Sequence, residues 1–256
     1  MIYQVFNPMD LTGKTVLVTG ASSGIGQACA VFMSRLGAKI ALCARREQQL
    51  RETLSNMEGE GHRIYPYDLS DTNGIKALVD NIVSDMGALS GILYAAGIAP
   101  MRPLSILKPE NMESVMRINL YAFLELTRCA VKKGKMQNPA SIVAISSIAS
   151  KQGSKAKIAY SASKSALDAS VRCIAKELAE IGIRVNTIAP AFVKTPMLED
   201  YSELAGDSDT IKNRINEQIL GLIEPDEVAS MATYLMSDLS KTITGSQILI
   251  DSGRLA

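Results

Sequence analysis

One stretch near the start of the chain, residues 15–26, reads Thr15-Val16-Leu17-Val18-Thr19-Gly20-Ala21-Ser22-Ser23-Gly24-Ile25-Gly26. An apolar run leads directly into three glycines, and apolar side chains then recur at helical spacing as far as Leu36. This order predicts a buried strand, a tight turn and a helix. Glycines let phosphate oxygens approach the backbone N–H groups at a helix N-terminus. We therefore predict that a dinucleotide binds this turn, through Gly20, Ser22, Ser23, Gly24, Ile25 and Gly26.

The rest of the chain alternates strand and helix patterns without a linker, a repeat or a low-complexity tract. This alternation predicts one α/β domain over residues 1–256, doubly wound and Rossmann-type, with a mostly or fully parallel seven-stranded sheet. Pro109 and Pro225 suit the first turns of two helices. The predicted strands are Thr15–Val18, Lys39–Cys43, Arg63–Tyr67, Gly91–Tyr94, Ser141–Ile145, Arg184–Ile188 and Gln247–Ile250. Right-handed crossovers then bring the loops after five of these strands to one edge of the sheet.

A second informative pattern is the pair Tyr160 and Lys164 at the head of an apolar helix, thirteen residues after Ser147. Positions four apart share one helix face, so the ammonium can lie near the phenol oxygen. A free tyrosine has a pKa near ~10, and we expect the cation to lower it toward a useful range for proton transfer. An isolated Tyr-x-x-x-Lys is a weak signal, because both residues also occur together on solvated helix faces.

These motifs together resemble the short-chain dehydrogenase/reductase family, with Gly-x-x-x-Gly-x-Gly in place of Gly-x-Gly-x-x-Gly. The resemblance runs from about Leu11 to Gly253. Its other matching segments are Asp68-Leu69, Ala95-Ala96-Gly97, Arg117-Ile118-Asn119-Leu120 and Ile145-Ser146-Ser147. Several weak motifs in the family's order make one strong signal.

The resemblance implies hydride transfer between a nicotinamide and a carbonyl or secondary alcohol. Ser147 would hydrogen-bond the carbonyl oxygen, and Tyr160 would act as general acid and base. Lys164 would lower the pKa of Tyr160 and hold the nicotinamide ribose. Asn119 would position a proton-relaying water, although by itself it also fits a buried polar residue that kinks its helix. Ser146 is the alternative serine, and the family's spacing favours Ser147.

The second predicted strand ends in Ala44-Arg45-Arg46, without the carboxylate that would bind the ribose hydroxyls of NAD. Arg45 lies nineteen residues beyond Gly26, and a guanidinium can pair with a 2′-phosphate by two hydrogen bonds. We therefore predict NADP as the cofactor, with NAD as the alternative. In the other interpretation, Arg45 and Arg46 only solvate the start of the next helix.

The resemblance also implies adenosine contacts after the third and fourth strands. Asp68 would bind the adenine amine beside Leu69, or would cap a turn before a helix starting at Asp71-Thr72. Ala95, Ala96 and Gly97 would keep the backbone close to the adenosine ribose. Tyr94 replaces a family asparagine that usually steadies the sheet, so we expect a cost in stability rather than in chemistry.

After the sixth strand, the resemblance implies that the Val193 backbone and the Thr195 hydroxyl hold the nicotinamide amide. Ala191 stands where the family usually has glycine, which weakens the transfer of these two roles. Residues 191–221 form the predicted substrate lid. The helix from Tyr160 to Ile181 is apolar on more than one side, and with the resemblance this predicts a homotetramer.

Composition agrees with a globular protein that acts on a small molecule. The chain has 47% hydrophobic and 21% charged residues and a net charge of +1, which gives no reason to expect a nucleic-acid partner or a membrane partner. The four cysteines lack metal-ligand spacing and fit small buried residues in a reducing cytoplasm, so we predict no metal site. The single histidine, His62, fits a strand end better than a base.

Substrate identity stays open among several classes. The first is an NADP-dependent carbonyl reductase, including a 3-oxoacyl-carrier-protein reductase whose acidic carrier would meet surface lysines. The lysines considered for that contact are Lys132, Lys133, Lys135 and Lys176. An NAD-dependent secondary-alcohol, sugar or steroid dehydrogenase is the alternative. A sugar-nucleotide epimerase fits the glycine spacing less well, and a non-catalytic dinucleotide-binding protein conflicts with the complete set of catalytic residues.

Overall fold

The computed structural model describes residues 7–205, 213 and 215–256. Within these residues seven strands form one fully parallel sheet. The strands are β1 (Thr15–Thr19), β2 (Lys39–Ala44), β3 (Arg63–Pro66), β4 (Leu89–Tyr94), β5 (Met136–Ile145), β6 (Ile183–Pro190) and β7 (Gln247–Ile250). Their order across the sheet is β3-β2-β1-β4-β5-β6-β7. The doubly wound parallel fold predicted from the sequence is confirmed.

Helices connect successive strands and cover both faces of the sheet. Those described are α1 (Gly24–Arg35), α2 (Glu47–Ser55), α3 (Ile75–Met86), α4 (Pro109–Met116), α5 (Ala122–Ala130), α6 (Ile158–Ala179), α7 (Pro196–Ala205) and α8 (Pro225–Met236). A π-helical turn, Arg117–Tyr121, joins α4 to α5. Pro109 and Pro225 begin their helices as expected, because a first-turn proline lacks only an N–H that has no partner within the helix.

The sheet separates two hydrophobic clusters because successive side chains of a strand point to opposite faces. In β1, Val16 and Val18 pack into one cluster with α1, α2 and α8. Leu17 packs into the other cluster, with α3, α5 and α6. Every residue of β1 is buried, which explains its continuous apolar run.

Strand register aligns the carboxyl ends of the central strands. Thr19, the last residue of β1, lies beside Cys43 of β2 and Tyr94 of β4, and Tyr94 lies beside Ala144 of β5. The loops that follow these strands therefore meet at one edge of the sheet, where ligands of open α/β sheets bind.

Three local features refine the sequence predictions. His62 lies just before β3, where its Nδ1 accepts from the Ile40 N–H, so it is a strand-end residue as expected. Cys173 is exposed, contrary to the expectation that all four cysteines are buried. α7 occupies part of the predicted lid, and residues 206–212 and 214 of that lid lie outside the described residues. None of the described helices has the length and apolar character needed to span a bilayer.

Candidate active site

Two adjoining cavities lie at the carboxyl edge of the sheet and contain almost all the predicted site residues. The first is lined by Gly20, Ser22, Ser23, Gly24, Ile25, Gly26, Arg45, Arg46, Asp68, Leu69, Ala95, Ala96, Gly97 and Thr195. The second is lined by Ile25, Ala95, Gly97, Ser147, Tyr160, Lys164, Val193 and Thr195. Residues shared by both cavities, such as Gly97 and Thr195, make the two continuous. Together the two cavities form one elongated space at this edge of the sheet.

The glycine turn after β1 is packed too closely to accept side chains. Gly20 has a φ of +67°, and a Cβ there would lie 2.8 Å from the backbone nitrogen of Ala96. A Cβ on Gly26 would lie 2.3 Å from the carbonyl oxygen of Gly20. The turn therefore joins β1, α1 and the loop after β4 at contact distance. Because the Ser23 side chain makes no capping bond to α1, the helix N-terminus suits an external anion.

Arg46 connects the end of β2 to the glycine turn. Its Nη2 donates hydrogen bonds to the Ser22 hydroxyl at 3.2 Å and to the Ser23 hydroxyl at 3.1 Å. Arg45 is more loosely held, with its Nη1 3.9 Å from the Asp68 carboxylate and both side chains about half exposed. Both guanidinium groups border the first cavity. Arg46 therefore does more than solvate α2, and it lines the same cavity as Arg45.

Asp68 shapes the turn that follows β3. Its Oδ1 accepts from the Ser70 N–H at 2.9 Å, which agrees with a turn-capping role. The predicted helix start at Asp71-Thr72 is wrong, because α3 begins at Ile75. The Asp71 carboxylate instead accepts from the Asn73 N–H, and this local turn keeps these residues out of the helix.

Tyr160 and Lys164 lie in the first turns of α6 and face the end of β5. The Lys164 ammonium lies 5.8 Å from the centre of the Tyr160 ring and donates to the Ile145 carbonyl at 2.7 Å. Burial lowers the pKa of Lys164 to about 8, while the charge of Asp168 acts in the opposite direction. This strand-end carbonyl fixes the lysine where its positive charge reaches the second cavity.

The pKa of Tyr160 is raised, contrary to the expectation that Lys164 lowers it. Burial disfavours the phenolate, and this outweighs a hydrogen bond from Ser147 that acts the other way. The phenol therefore stays protonated at neutral pH. A protonated phenol is the form needed to donate a proton to a carbonyl that is being reduced.

Ser147 and Ser146 both border the second cavity, but their hydroxyls differ in their contacts. Ser147 lies close enough to Tyr160 to lower the pKa of its phenol, and its Oγ accepts from the Ala149 N–H at 3.1 Å. The Ser146 hydroxyl is buried without a hydrogen-bond partner among the described residues. The contact with Tyr160 favours Ser147 for the serine role, as the spacing does.

Asn119 is fully buried in the π-helical turn and lines neither cavity among the described residues. Its amide donates to the Ile98 carbonyl at 3.0 Å and to the Ser163 hydroxyl at 2.9 Å, and its Oδ1 accepts from the Ile98 N–H at 2.9 Å. These bonds tie the loop after β4 to the residue that precedes Lys164. The predicted buried, kink-forming role is therefore present, and the relay through a water stays a prediction.

Tyr94 stabilises the end of β4, although it replaces the asparagine that usually does so in the family. Its hydroxyl donates to the Ile118 carbonyl in the π-helical turn. Its ring packs edge-on against Phe123, with 5.4 Å between the ring centroids. The side chain thus joins β4 directly to the turn that holds Asn119, so the expected loss of stability has a visible compensation.

Val193 and Thr195 follow β6 beside the glycine turn. Val193 forms an isolated parallel bridge with Ile223, and the Thr195 hydroxyl donates to the Val193 carbonyl at 3.2 Å. A Cβ on Gly24 would lie 3.1 Å from the methyl group of Thr195. Thr195 therefore lies where the two cavities meet, and Val193 lines the second cavity.

Two cations that the sequence analysis did not single out also border the second cavity. These are Lys157 and Arg254. Lys157 lies one helical turn before Tyr160, so the pattern Lys-x-x-Tyr-x-x-x-Lys could have identified it. Arg254 comes from the segment after β7, and no local pattern connects it to Tyr160.

Comparisons with known proteins agree with this geometry. A family model described as Enoyl-(Acyl carrier protein) reductase matches residues 20–254. The 3-oxoacyl-[acyl-carrier-protein] reductase FabG of Thermotoga maritima is 34% identical, over 96% of this chain and 99% of that protein. Glucose 1-dehydrogenase of Gluconobacter oxydans is also 34% identical, over 94% of this chain and 91% of that protein.

A solved structure of a dehydrogenase/reductase from Sinorhizobium meliloti 1021 is similar throughout. Its TM-score is 0.88 at 28% identity, and 97% of this chain and 98% of that chain are covered. The fold and the arrangement of the cavities agree with the relatives that the comparisons found. The chain therefore belongs to the short-chain dehydrogenase/reductase family and is an NAD(P)-dependent dehydrogenase/reductase.

Proposed function

We propose that this protein is an NADP-dependent oxidoreductase that moves a hydride between the nicotinamide and a carbonyl or secondary alcohol. The observation that carries the proposal is the meeting of Ser147, Tyr160 and Lys164 in one cavity that adjoins the glycine turn. A carbonyl placed there can accept a hydrogen bond from Ser147 and a proton from Tyr160. We propose reduction as the working direction, since cells usually keep the NADP pool reduced.

The residues fit the cofactor, because side chains at Gly20 or Gly26 would fill the space that a pyrophosphate needs. The Arg46 guanidinium also lies at this turn, where it donates to the Ser22 and Ser23 hydroxyls. Bound NADPH supplies the hydride. Tyr160 holds the proton for the substrate oxygen, and its burial keeps that proton in place until charge develops on the oxygen. Lys164 keeps a positive charge beside the phenol, which stabilises the phenolate that remains after transfer.

Arg46 and Arg45 support NADP over NAD. A 2′-phosphate beside Ser22 and Ser23 would receive charge-assisted hydrogen bonds from Arg46, which is already oriented by the two hydroxyls. Arg45 lies across the same cavity with its charge partly balanced by Asp68. The second strand brings no carboxylate that would repel this phosphate.

We predict that Arg46→Ala weakens NADPH binding by about 10- to 100-fold and changes NADH binding by less than about 3-fold, because only NADPH carries the 2′-phosphate. Arg45→Ala should show the same selectivity with a smaller effect. Fluorescence titration with both cofactors measures this. Arg51→Ala, an exposed arginine of α2 that pairs with Glu47, is the matched control. Equal binding of both cofactors by the parent, unchanged in either variant, would favour the NAD alternative.

Lys164 also predicts a pH dependence. Its ammonium is present below a pKa of about 8 and is lost as the pH rises through that value, so kcat/KM for an uncharged ketone should fall above about pH 8. Asp168→Asn removes the charge that raises this pKa and leaves an amide oxygen to accept from Gln247. The fall should then begin at lower pH. Glu177→Gln, an exposed change on α6, is the control, and an unmoved Asp168→Asn profile would contradict this role.

Because relatives of this chain reduce 3-oxoacyl thioesters, these compounds are the first class to screen. The positions of the four surface lysines, however, do not support docking of an acyl carrier protein at this site. Lys132, Lys133 and Lys135 precede β5, whereas Ser147 follows it. A strand of 10 residues spans roughly 30 Å, so these lysines lie at the opposite edge of the sheet. Lys176 lies in the last turn of α6, likewise far from Tyr160 in the first.

We also propose the predicted homotetramer, cytoplasmic location and lid over residues 191–221. Exposed alanines on α6, Ala162 and Ala169, leave apolar surface that a second copy of the chain would cover. Elution as a monomer at micromolar concentration would count against the tetramer.

A further inference from the structure

The cavity around Tyr160 is more positively charged than hydride transfer requires. Its described lining includes three cationic side chains, Lys157, Lys164 and Arg254, and no carboxylate. Lys164 has a role beside the phenol. The other two cations stand where the substrate must lie, and neither takes part in the chemistry proposed above.

Lys157 is buried although it is charged. Only 8% of its surface is exposed, and its ammonium lies 5.8 Å from the centre of the Tyr160 ring. It donates a hydrogen bond to the carbonyl of Ala99, in the loop after β4. Burial lowers its pKa to about 8, so the ammonium persists at neutral pH at an energetic cost. An anion bound beside it would offset that cost.

Arg254 brings a second cation to the same cavity from the chain after β7. Its side chain is only 6% exposed and its Nη2 lies 2.7 Å from the Glu217 carboxylate. The guanidinium carbon lies 4.7 Å from the centre of the Phe192 ring, which also lines the cavity. These contacts hold the arginine in place at the cavity wall, where the Glu217 carboxylate balances part of its positive charge.

We infer that the substrate is a short oxo acid whose carboxylate binds the Lys157 ammonium, within the field of Arg254, while its carbonyl meets Ser147 and Tyr160. This inference rests on the proposed function. The Lys157 ammonium lies 5.8 Å from the centre of the Tyr160 ring and both side chains line this cavity, so a short molecule such as a 2- or 3-oxo acid would reach both groups.

A 3-oxoacyl thioester fits this cavity less well. It carries no charge beside its carbonyl, so it would form no ion pair with the Lys157 ammonium. The structural alternative for Lys157 is that it only fastens the Ala99 loop through its hydrogen bond. That alternative predicts equal effects on charged and uncharged substrates, which makes the two explanations separable.

The test compares 3-oxobutanoate with its uncharged methyl ester, each reduced with NADPH by the parent, Lys157→Met and Lys155→Met. Lys155 is an exposed lysine two residues away and serves as the matched control. The parent should prefer the acid in kcat/KM. Lys157→Met should lose about 10- to 100-fold with the acid and less than about 3-fold with the ester, the size of a hydrogen bond to a charged group. Lys155→Met should behave as the parent.

Preference of the parent for the ester, or an equal loss with both substrates in Lys157→Met, would overturn the inference and leave the proposed function intact. If NADPH binds but neither compound is reduced, the proposed function is in doubt, and binding then decides the inference separately. Calorimetry measures how tightly the protein binds butanoate and the uncharged butanamide. Tighter binding of butanoate that disappears in Lys157→Met supports the carboxylate site, and equal binding of both compounds refutes it.

Discussion

Tyr160→Phe should lower kcat by about 10²- to 10⁴-fold while NADPH binds as tightly as in the parent, within about 3-fold. The change removes only the phenol oxygen, which is the proposed proton donor. The ring keeps its packing against the Lys164 and Lys157 side chains, so folding and the cofactor cavity should be preserved. Steady-state rates and fluorescence titration on the same preparation separate the two effects.

The control for this change is Tyr65→Phe. Tyr65 lies on the outer strand β3, away from both cavities, and its hydroxyl donates to Asp85 of α3. Loss of this hydroxyl should therefore leave kcat unchanged. A Tyr160→Phe enzyme as active as the parent would show that the phenol is not the proton donor. It would also support the alternative that the chain binds a dinucleotide but does not catalyse hydride transfer.

Gly26→Ala should reduce NADPH affinity by at least about 10-fold and destabilise the fold by about 1–3 kcal/mol. The added Cβ would lie 2.3 Å from the Gly20 carbonyl oxygen and 2.7 Å from its carbonyl carbon. Both atoms belong to rigid backbone, so α1 must move away from the turn. The N–H groups that would hold the pyrophosphate then lose their alignment.

Gly153→Ala is the matched control, since nothing lies within 4 Å of a Cβ at that position. It should change neither the unfolding midpoint nor NADPH affinity appreciably. Thermal unfolding and cofactor titration of both variants measure the contrast. A Gly26→Ala protein with parental stability and parental NADPH affinity would mean that the turn does not carry the cofactor.

Sequence was sufficient to predict the sheet because its strands are buried on both faces. β1 and β4 are buried at every position, so their apolar runs stand out whatever surrounds them. The glycine turn was equally readable, since Gly20 and Gly26 occupy positions where no other residue fits. In these cases a local pattern reports a local physical requirement.

Features that depend on several distant segments were missed or misjudged. The pKa of Tyr160 follows from how deeply the folded chain buries it, which the spacing to Lys164 does not reveal. The compensation by Tyr94 depends on the Ile118 carbonyl, 24 residues away. The cationic cavity needs Lys157 and Arg254 to converge from opposite parts of the chain.

The proposed reaction is transfer of a hydride from NADPH to a carbonyl that Tyr160 protonates. The most direct measurement follows the label from NADPH carrying deuterium at the transferred position, using mass spectrometry of the alcohol formed from an oxo acid or an oxoacyl thioester. We predict an alcohol that contains the deuterium with the parent protein and almost none with Tyr160→Phe. An alcohol without deuterium, or equal labelled product from both proteins, would contradict the account.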